Sequence, residues 1–168
     1  INKEAFKRYE KAGTWLYDIE ELGYKYNFDD IHASLGLVQL RRLDGMLARR
    51  REIARMYRQA LEGVVDFSAD SSEHFHTYHL FLARLMKDSL NRDDIIQELK
   101  SNNVGASVHY IPLHLHSYYK KRFAQEDFPV ANRVFKSIFS IPMFSAMRDS
   151  DVEYVIQQLK AIILRRKL

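Results

Sequence analysis

The sequence predicts an α+β fold, in which a short and mainly antiparallel sheet is packed by helices and preceded by a long helix. Three observations favour this class. A helix-like pattern covers residues 29–62, three short segments rich in branched and aromatic residues are typical of strands, and further amphipathic helical patterns lie between and after them. The 168 residues are 46% hydrophobic and 29% charged, as in one ordinary globular domain.

Composition excludes several classes of protein. The chain has no cysteine, so disulfides and cysteine metal sites are impossible, and we expect a reducing, cytoplasmic location. No apolar run approaches the ~20 residues that span a bilayer, so we expect no membrane partner. With 26 basic and 22 acidic residues, the net charge of +4 permits phosphate or acidic ligands without requiring nucleic acid.

The first 28 residues predict a short helix over 3–11, followed by an ordered loop. The loop is too aromatic for a flexible linker, because it holds Trp15, Tyr17, Tyr24, Tyr26 and Phe28. The chain begins at Ile1 inside a charged, helix-like stretch. We therefore expect it to be part of a longer protein.

A long helix follows over 29–62, either as one helix or as two joined near Gly45. Asp29 is suited to cap its start, and Gly63 to end it. Apolar residues recur at helical spacing along it: Ile31, Leu35, Val38, Leu43, Leu47, Ile53, Tyr57 and Leu61. This stripe predicts one buried face.

The remainder alternates strands and helices. Residues 64–67, 76–85 and 104–110 predict strands, and a helix begins at Asn91 or Arg92 and ends near residue 102. Pro129 starts another helix, whose buried face is Val130, Val134, Phe135 and Ile138, and residues 141–143 are extended. A final helix, capped by Asp149 or Ser150, buries Val152, Val155, Ile156, Leu159, Ile162 and Ile163.

Six of the seven histidines form two groups: His74, His76 and His79, then His109, His114 and His116. Strand alternation places His74 and His76 on one face and His79 on the other. Such groups bind zinc, perform acid–base chemistry, or are packed histidines with hydrogen-bonded rings. No carboxylate stands at an obvious ligand spacing, so we predict no metal site. The second group enters the loop over 112–127, and loops carried by a scaffold are where function concentrates.

Two charged features leave alternatives open. Seven arginines of the long helix suit nucleic acid, but acidic residues interrupt them and a solvated helix face is the favoured interpretation; they are Arg41, Arg42, Arg49, Arg50, Arg51, Arg55 and Arg58. Residues 23–30 hold Lys25 and Asn27 between aromatic residues, just before a helix N-terminus, which suits a phosphate. An aromatic packing loop with an exposed Lys25 explains the same residues.

Several segments share their order with a known family. Residues 21–40 read ELGYKYNFDDIHASLGLVQL, and shorter segments follow at 49–54 (RRREIA), 78–81 (YHLF), 108–114 (VHYIPLH), 128–131 (FPVA) and 141–144 (IPMF). Together they resemble the C-terminal part of the DegT/StrS aminotransferases. These are pyridoxal-phosphate (PLP) enzymes that aminate keto sugars attached to nucleotides.

The resemblance implies a domain organisation. Residues 29–168 would form the small C-terminal domain of an aspartate-aminotransferase-like (fold type I) enzyme, with a connecting helix over 29–62. Residues 1–28 would form an aromatic interface and active-site segment from the junction with a large domain. In the family, that large domain holds the cofactor and supplies the lysine that binds it. We therefore expect no catalytic residue and no covalently bound cofactor in this chain, and no activity of the chain alone.

The resemblance also implies site residues and partners. In the family, the active site lies at a homodimer interface, where Lys25 and Asn27 would reach the cofactor phosphate of the partner subunit. The commonest family version has asparagine and arginine at these two positions. His109, Tyr110 and His114 would line the substrate side, with His109 the best candidate for a substrate contact.

The implied reaction moves an amino group, typically from glutamate, to a 3-keto or 4-keto sugar on a nucleotide. Its setting would be the biosynthesis of cell-surface polysaccharides or antibiotic sugars. A basic nucleic-acid-binding or regulatory module is the alternative.

Overall fold

A computed structural model describes residues 22–24, 26, 28–69, 73–122 and 127–166. The described helices are α1 (Asp30–Ala60), α2 (Arg92–Ser101), α3 (Ser117–Lys120), α4 (Pro129–Ser137) and α5 (Asp149–Arg165), with a 3-10 turn at Leu113–Leu115. The strands are β1 (Asp66–Phe67), β2 (Phe81–Arg84) and β3 (Ile138–Ile141). The chain divides into two compact units, Ile1–Arg41 and Arg42–Leu168. The helix predicted over 3–11, and most of the predicted interface segment over 1–28, lie outside the described residues.

The described part of the first unit is the start of α1 and the residues before it. Asp29 caps the helix as predicted, because its Oδ1 accepts a hydrogen bond from the main-chain N–H of His32 at 3.0 Å. This hydrogen bond lowers the pKa of the Asp29 carboxyl below its ordinary value. Ile31, Leu35 and Val38 are 74%, 59% and 50% exposed, so this part of the predicted stripe is apolar but not buried.

The second unit contains a three-stranded antiparallel sheet in the order β1-β2-β3. Phe81 of β2 lies opposite Ile141 of β3, and Arg84 at the other end of β2 lies opposite both Asp66 and Ile138. The sheet and its surrounding helices confirm the predicted α+β class. α1 runs without a break through Gly45, so of the two predicted alternatives the single long helix is the one that forms.

Buried apolar side chains from the second half of α1, from β2 and β3, and from α2 and α5 form one core. The largest fully buried members are Ile53, Tyr57, Leu61, Ile95, Leu99, Phe139, Val152, Leu159, Ile162 and Ile163. The six residues predicted to face inward on α5 are all buried. α2 and α5 are also joined by polar contacts, since Asn102 Nδ2 donates to Gln158 Oε1 at 2.8 Å.

Two strand predictions are wrong over most of their length. Only Phe81–Arg84 of the strand predicted over 76–85 pairs in the sheet. Tyr78 has a left-handed backbone, with φ at 48°, and this conformation interrupts an extended segment. Of the strand predicted over 104–110, a single bridge between Ser107 and Ser140 forms.

The predicted helix boundaries near β3 and α5 also need correction. Ile138 has extended backbone angles and begins β3, so it does not belong to the buried face of α4, and Val130 on that helix is 61% exposed. Asp149 is the first residue of α5 rather than its cap. The carboxylate that reaches back is that of Asp151, which accepts the N–H of Arg148 at 3.0 Å.

Candidate functional site

His109 lies where the chain leaves the edge of the sheet. Two main-chain hydrogen bonds join Ser107 to Ser140 of β3, with N···O distances of 3.2 and 2.7 Å. The side chains continue this connection, because His109 Nδ1 lies 2.7 Å from Ser140 Oγ and that hydroxyl donates to the Ser107 carbonyl at 3.1 Å. Ser140 is buried and His109 is half-buried. The imidazole is therefore held from the protein side by β3.

Tyr110 extends this corner into solvent. Its ring meets the His109 ring edge to face, with centroids 4.8 Å apart and an interplanar angle of 86°. The Tyr110 side chain is 75% exposed, and the neighbouring Ile111 and Leu113 are also exposed. The corner thus presents an imidazole, a phenol and apolar surface together, which suits a ligand with both hydroxyl groups and ring faces.

His114 is held by a different element. Its Nε2 lies 2.8 Å from Asn132 Oδ1 on α4, and its ring packs on Phe128 with centroids 4.6 Å apart. Because an amide oxygen only accepts, Nε2 of His114 carries the proton and donates. Within the described residues, His109 and His114 make no direct contact with each other. The structure brings His109 and Tyr110 together and fastens His114 to α4.

Lys25 and Asn27, the two residues predicted to reach a cofactor phosphate, lie outside the described residues. Their described neighbours Tyr24 and Tyr26 are 86% and 84% exposed, with ring centroids 5.6 Å apart. Phe28 is also exposed. The described residues of this segment therefore lie at the surface of the first unit.

The first histidine group is part of a turn. His76 Nδ1 accepts the main-chain N–H of Tyr78 at 2.8 Å, and the two rings pack with centroids 4.2 Å apart. Since β2 begins only at Phe81, strand alternation does not apply, and the predicted placement of these histidines on opposite faces is wrong. Wherever the structure describes the chain, no three His, Asp or Glu side chains converge as a metal site requires.

Four of the seven arginines on α1 make contacts within the fold, and three of these, Arg49, Arg50 and Arg58, are partly buried. A solvated face is therefore the wrong interpretation for those three. Arg50 Nη1 donates to the carbonyls of Tyr78 and Met143, at 2.9 and 3.0 Å. Arg49 bonds the Met147 carbonyl and Asp149, Arg51 bonds the His76 carbonyl and covers Phe75, and Arg58 bonds the Ser68 carbonyl. Arg41, Arg42 and Arg55 are exposed. Arginines that bond other parts of the chain are less available to bind phosphates, which weakens the nucleic-acid alternative.

Sequence reasoning missed Ser140 and Asn132, the two residues that hold the candidate histidines. Ser140 could have been found from the sequence, because it is a single hydroxyl within an apolar strand and a buried hydroxyl requires a hydrogen-bond partner. Nothing in the sequence pointed to Asn132, since a polar residue on an amphipathic helix usually faces water. Among the described helices, none is both long enough and apolar enough to cross a bilayer.

Comparison with known proteins identifies relatives over nearly the whole chain. The sequence model of the DegT/DnrJ/EryC1/StrS aminotransferase family matches residues 1–160. An uncharacterised protein of Methanocaldococcus jannaschii, MJ1066, is 41% identical over 169 residues, which cover 97% of this chain and 44% of that protein. The spore coat polysaccharide biosynthesis protein SpsC of Bacillus subtilis is 39% identical over 172 residues, with the same two coverages.

Solved structures agree with these matches. The PLP form of Spr1654 from Streptococcus pneumoniae, a proposed sugar aminotransferase, is 33% identical and superposes with a TM-score of 0.80. The match covers 96% of this chain and 42% of that chain. This chain therefore spans less than half the length of the relatives it matches, and over that part it has their fold.

Proposed function

Since this chain belongs to the DegT/DnrJ/EryC1/StrS aminotransferase family, we propose that it is the C-terminal part of a PLP-dependent sugar aminotransferase. The enzyme would transfer an amino group from glutamate to a keto group of a nucleotide-linked sugar. The family match over residues 1–160 carries this proposal. The similarity to SpsC, a spore coat polysaccharide biosynthesis protein, supports polysaccharide synthesis as its setting.

The described residues support a substrate-binding role for the corner at His109. The imidazole and the phenol of Tyr110 offer hydrogen bonds to a sugar, and the exposed Tyr110 ring offers a face for packing. His114 would act on the same side by fixing the turn at Leu113–Leu115 against α4. These residues bind and orient a substrate; none of them is proposed to carry the amino transfer itself.

The cofactor contact is proposed for Lys25 and Asn27. An ammonium group and a side-chain amide both donate hydrogen bonds, which is the chemistry that a phosphate dianion requires. The surface position of the neighbouring Tyr24 and Tyr26 suits a contact made across a subunit interface. When bound, PLP supplies the electron sink for the reaction. We propose that the lysine that binds PLP lies outside this chain, that the enzyme is a cytoplasmic homodimer, and that this chain alone is inactive.

The test compares the 168-residue chain with the full product of its gene. Each is incubated with PLP, glutamate and a nucleotide-linked 4-keto or 3-keto sugar, and the amino sugar is detected by mass spectrometry. We expect product from the full gene product and none from the chain alone. A gene that encodes only these residues, or a longer product with no amino transfer to any keto sugar nucleotide, contradicts the proposal.

A variant separates substrate binding from general damage. In the full gene product, His109→Ala is expected to raise KM for the sugar nucleotide and to leave KM for glutamate nearly unchanged. His74→Ala is the matched control, because His74 is exposed and belongs to the other histidine group. Equal effects of the two substitutions would remove His109 from the substrate site.

A further inference from the structure

Ser140 is a buried polar residue that the proposed reaction does not by itself explain. It is 6% exposed on β3, between the buried apolar residues Phe139 and Ile141. Burying a hydroxyl is unfavourable unless hydrogen bonds replace those it makes with water. Here they do, through a short contact to His109 Nδ1 at 2.7 Å and a longer one to the Ser107 carbonyl at 3.1 Å.

Taken together, these two contacts favour one position for the proton of the Ser140 hydroxyl. A serine hydroxyl has a single hydrogen to donate, and a carbonyl oxygen has none. The Ser140 hydroxyl therefore gives its hydrogen to the Ser107 carbonyl, and its oxygen accepts one from His109 Nδ1–H. In the opposite assignment the hydroxyl donates to Nδ1, and the Ser107 carbonyl keeps only the main-chain N–H of Ser140 at 2.7 Å. The first assignment is the one in which both contacts of the hydroxyl are hydrogen bonds.

The consequence appears on the other side of the imidazole ring. A neutral histidine has one protonated nitrogen and one acceptor nitrogen, and which is which follows from the bond that the other nitrogen makes. With the proton on Nδ1, Nε2 becomes a hydrogen-bond acceptor. Within the described residues, His109 Nε2 has no hydrogen-bond partner.

We propose that Ser140 is a positioning residue, which holds His109 as the Nδ1–H tautomer so that Nε2 accepts a hydrogen bond from a hydroxyl of the sugar. This inference rests on the proposed function for the identity of the ligand. It deepens that function by naming the group recognised. An acceptor nitrogen pairs with an O–H or N–H group, and not with an unprotonated phosphate oxygen. His109 would then bind the sugar ring, and the phosphates would be bound by other residues.

The tautomer is measured without any activity assay. The full chain is labelled with ¹⁵N, and long-range ¹H–¹⁵N correlation spectra are recorded under conditions where the histidines are neutral. The signals of His109 are assigned by their loss in His109→Gln. We expect Nδ1 to have the shift of a protonated ring nitrogen and Nε2 that of an acceptor. The reverse pattern, or a rapid mixture of both tautomers, would overturn the inference.

Three variants test whether Ser140 is the cause. Ser140→Ala removes the acceptor, so the Nδ1–H signature of His109 should be lost. Ser140→Thr keeps a hydroxyl and should restore it. Ser107→Ala is the matched control, because only the main-chain carbonyl of Ser107 takes part and its side chain is exposed. An Nδ1–H signature that survives in Ser140→Ala shows that another group sets the tautomer.

The kinetic arm uses the full gene product. Ser140→Ala should raise KM for the sugar nucleotide roughly twofold to tenfold, which is the loss of affinity expected when one hydrogen bond to the substrate is no longer oriented. KM for glutamate should stay unchanged. Ser140→Thr should recover most of this loss, and Ser107→Ala should cause none. An active enzyme in which Ser140→Ala leaves KM unchanged contradicts the positioning role. An inactive full product together with an Nδ1–H His109 contradicts the proposed function and the sugar ligand, and leaves the assignment to Ser140 standing.

Discussion

The Arg50 guanidinium on α1 donates a hydrogen bond from Nη1 to the main-chain carbonyl of Met143, 3.0 Å away. The same nitrogen lies 2.9 Å from the carbonyl of Tyr78 and 3.3 Å from that of His79. One side chain thus joins the helix to the turn before β2 and to the segment after β3. Because Tyr78 has a positive φ, which costs about 1–3 kcal/mol in a residue other than glycine, these bonds also stabilise a strained turn.

Replacing Arg50 by lysine should therefore destabilise the chain although the charge is kept. All three bonds come from the one nitrogen Nη1. A lysine side chain is one bond shorter, so its ammonium does not reach the position of Nη1 between the two segments. We expect Arg50→Lys to lower the free energy of unfolding by about 2 kcal/mol, as measured by urea denaturation.

Arg55→Lys is the control for this substitution. Arg55 lies on the same helix, is exposed, and has no hydrogen bond to any described residue. Its replacement should change the free energy of unfolding by less than about 0.5 kcal/mol. Equal losses for the two variants would show that the Arg50 contacts contribute little.

The Asn91 cap of α2 offers a second, independent prediction. Asn91 Oδ1 accepts the main-chain N–H of Asp93 at 2.9 Å and that of Asp94 at 3.4 Å. Asn91→Ala leaves both donors without this acceptor and should lower stability by about 1 kcal/mol. Asn91→Ser keeps a capping oxygen and should recover most of it in thermal unfolding experiments. If serine is no better than alanine, the cap is not the reason for the loss.

A third prediction compares two leucines of α5. Leu159 is fully buried, whereas Leu164 is 48% exposed. Leu159→Ala removes buried methyl groups and leaves a cavity, so it should cost about 2–5 kcal/mol. Leu164→Ala should cost less than about 1 kcal/mol, because much of that side chain already contacts water. The two values are measured by urea denaturation under the same conditions, and similar losses would contradict the placement of the core.

The helices were the most predictable part of this chain. The six inward positions on α5 follow from helical periodicity alone, since burial on a helix repeats every three to four residues. Asp29 was also identified correctly as a cap, and the start of α2 was predicted to within one residue, because capping depends on a local side-chain oxygen. Local patterns determine such features, and the sequence contains them directly.

The segments around β2 were predicted poorly for a physical reason. Residues 76–80 have the composition of a strand, but the carbonyls of Tyr78 and His79 are taken by Arg50, which is distant in sequence. The bond from Ser140 to His109 is likewise formed between residues 31 positions apart. Such long-range contacts override local propensity. For that reason the resemblance located the candidate site at His109, while its hydrogen-bond partner became apparent only in the structure.

Tyr57 provides a prediction that depends on pH. Its hydroxyl donates to the Pro142 carbonyl at 2.9 Å, and burial raises its pKa above the ordinary value. Tyr57→Phe keeps the packing but loses this hydrogen bond, so at pH 7 it should be about 1 kcal/mol less stable than the wild-type chain.

This difference should shrink and then reverse in alkali. Above pH ~10, Tyr57 loses its proton in the unfolded chain, where its pKa is ordinary, but keeps it in the folded chain. The unfolded state then binds fewer protons, so the stability that Tyr57 contributes falls as pH rises. Relative to Tyr57→Phe, the wild-type chain should lose about 1.4 kcal/mol per pH unit above that point. Urea denaturation of both chains from neutral to alkaline pH measures this slope. A difference that stays constant would mean that the Tyr57 hydroxyl titrates as freely in the folded chain as in the unfolded one, which its complete burial against Pro142 opposes.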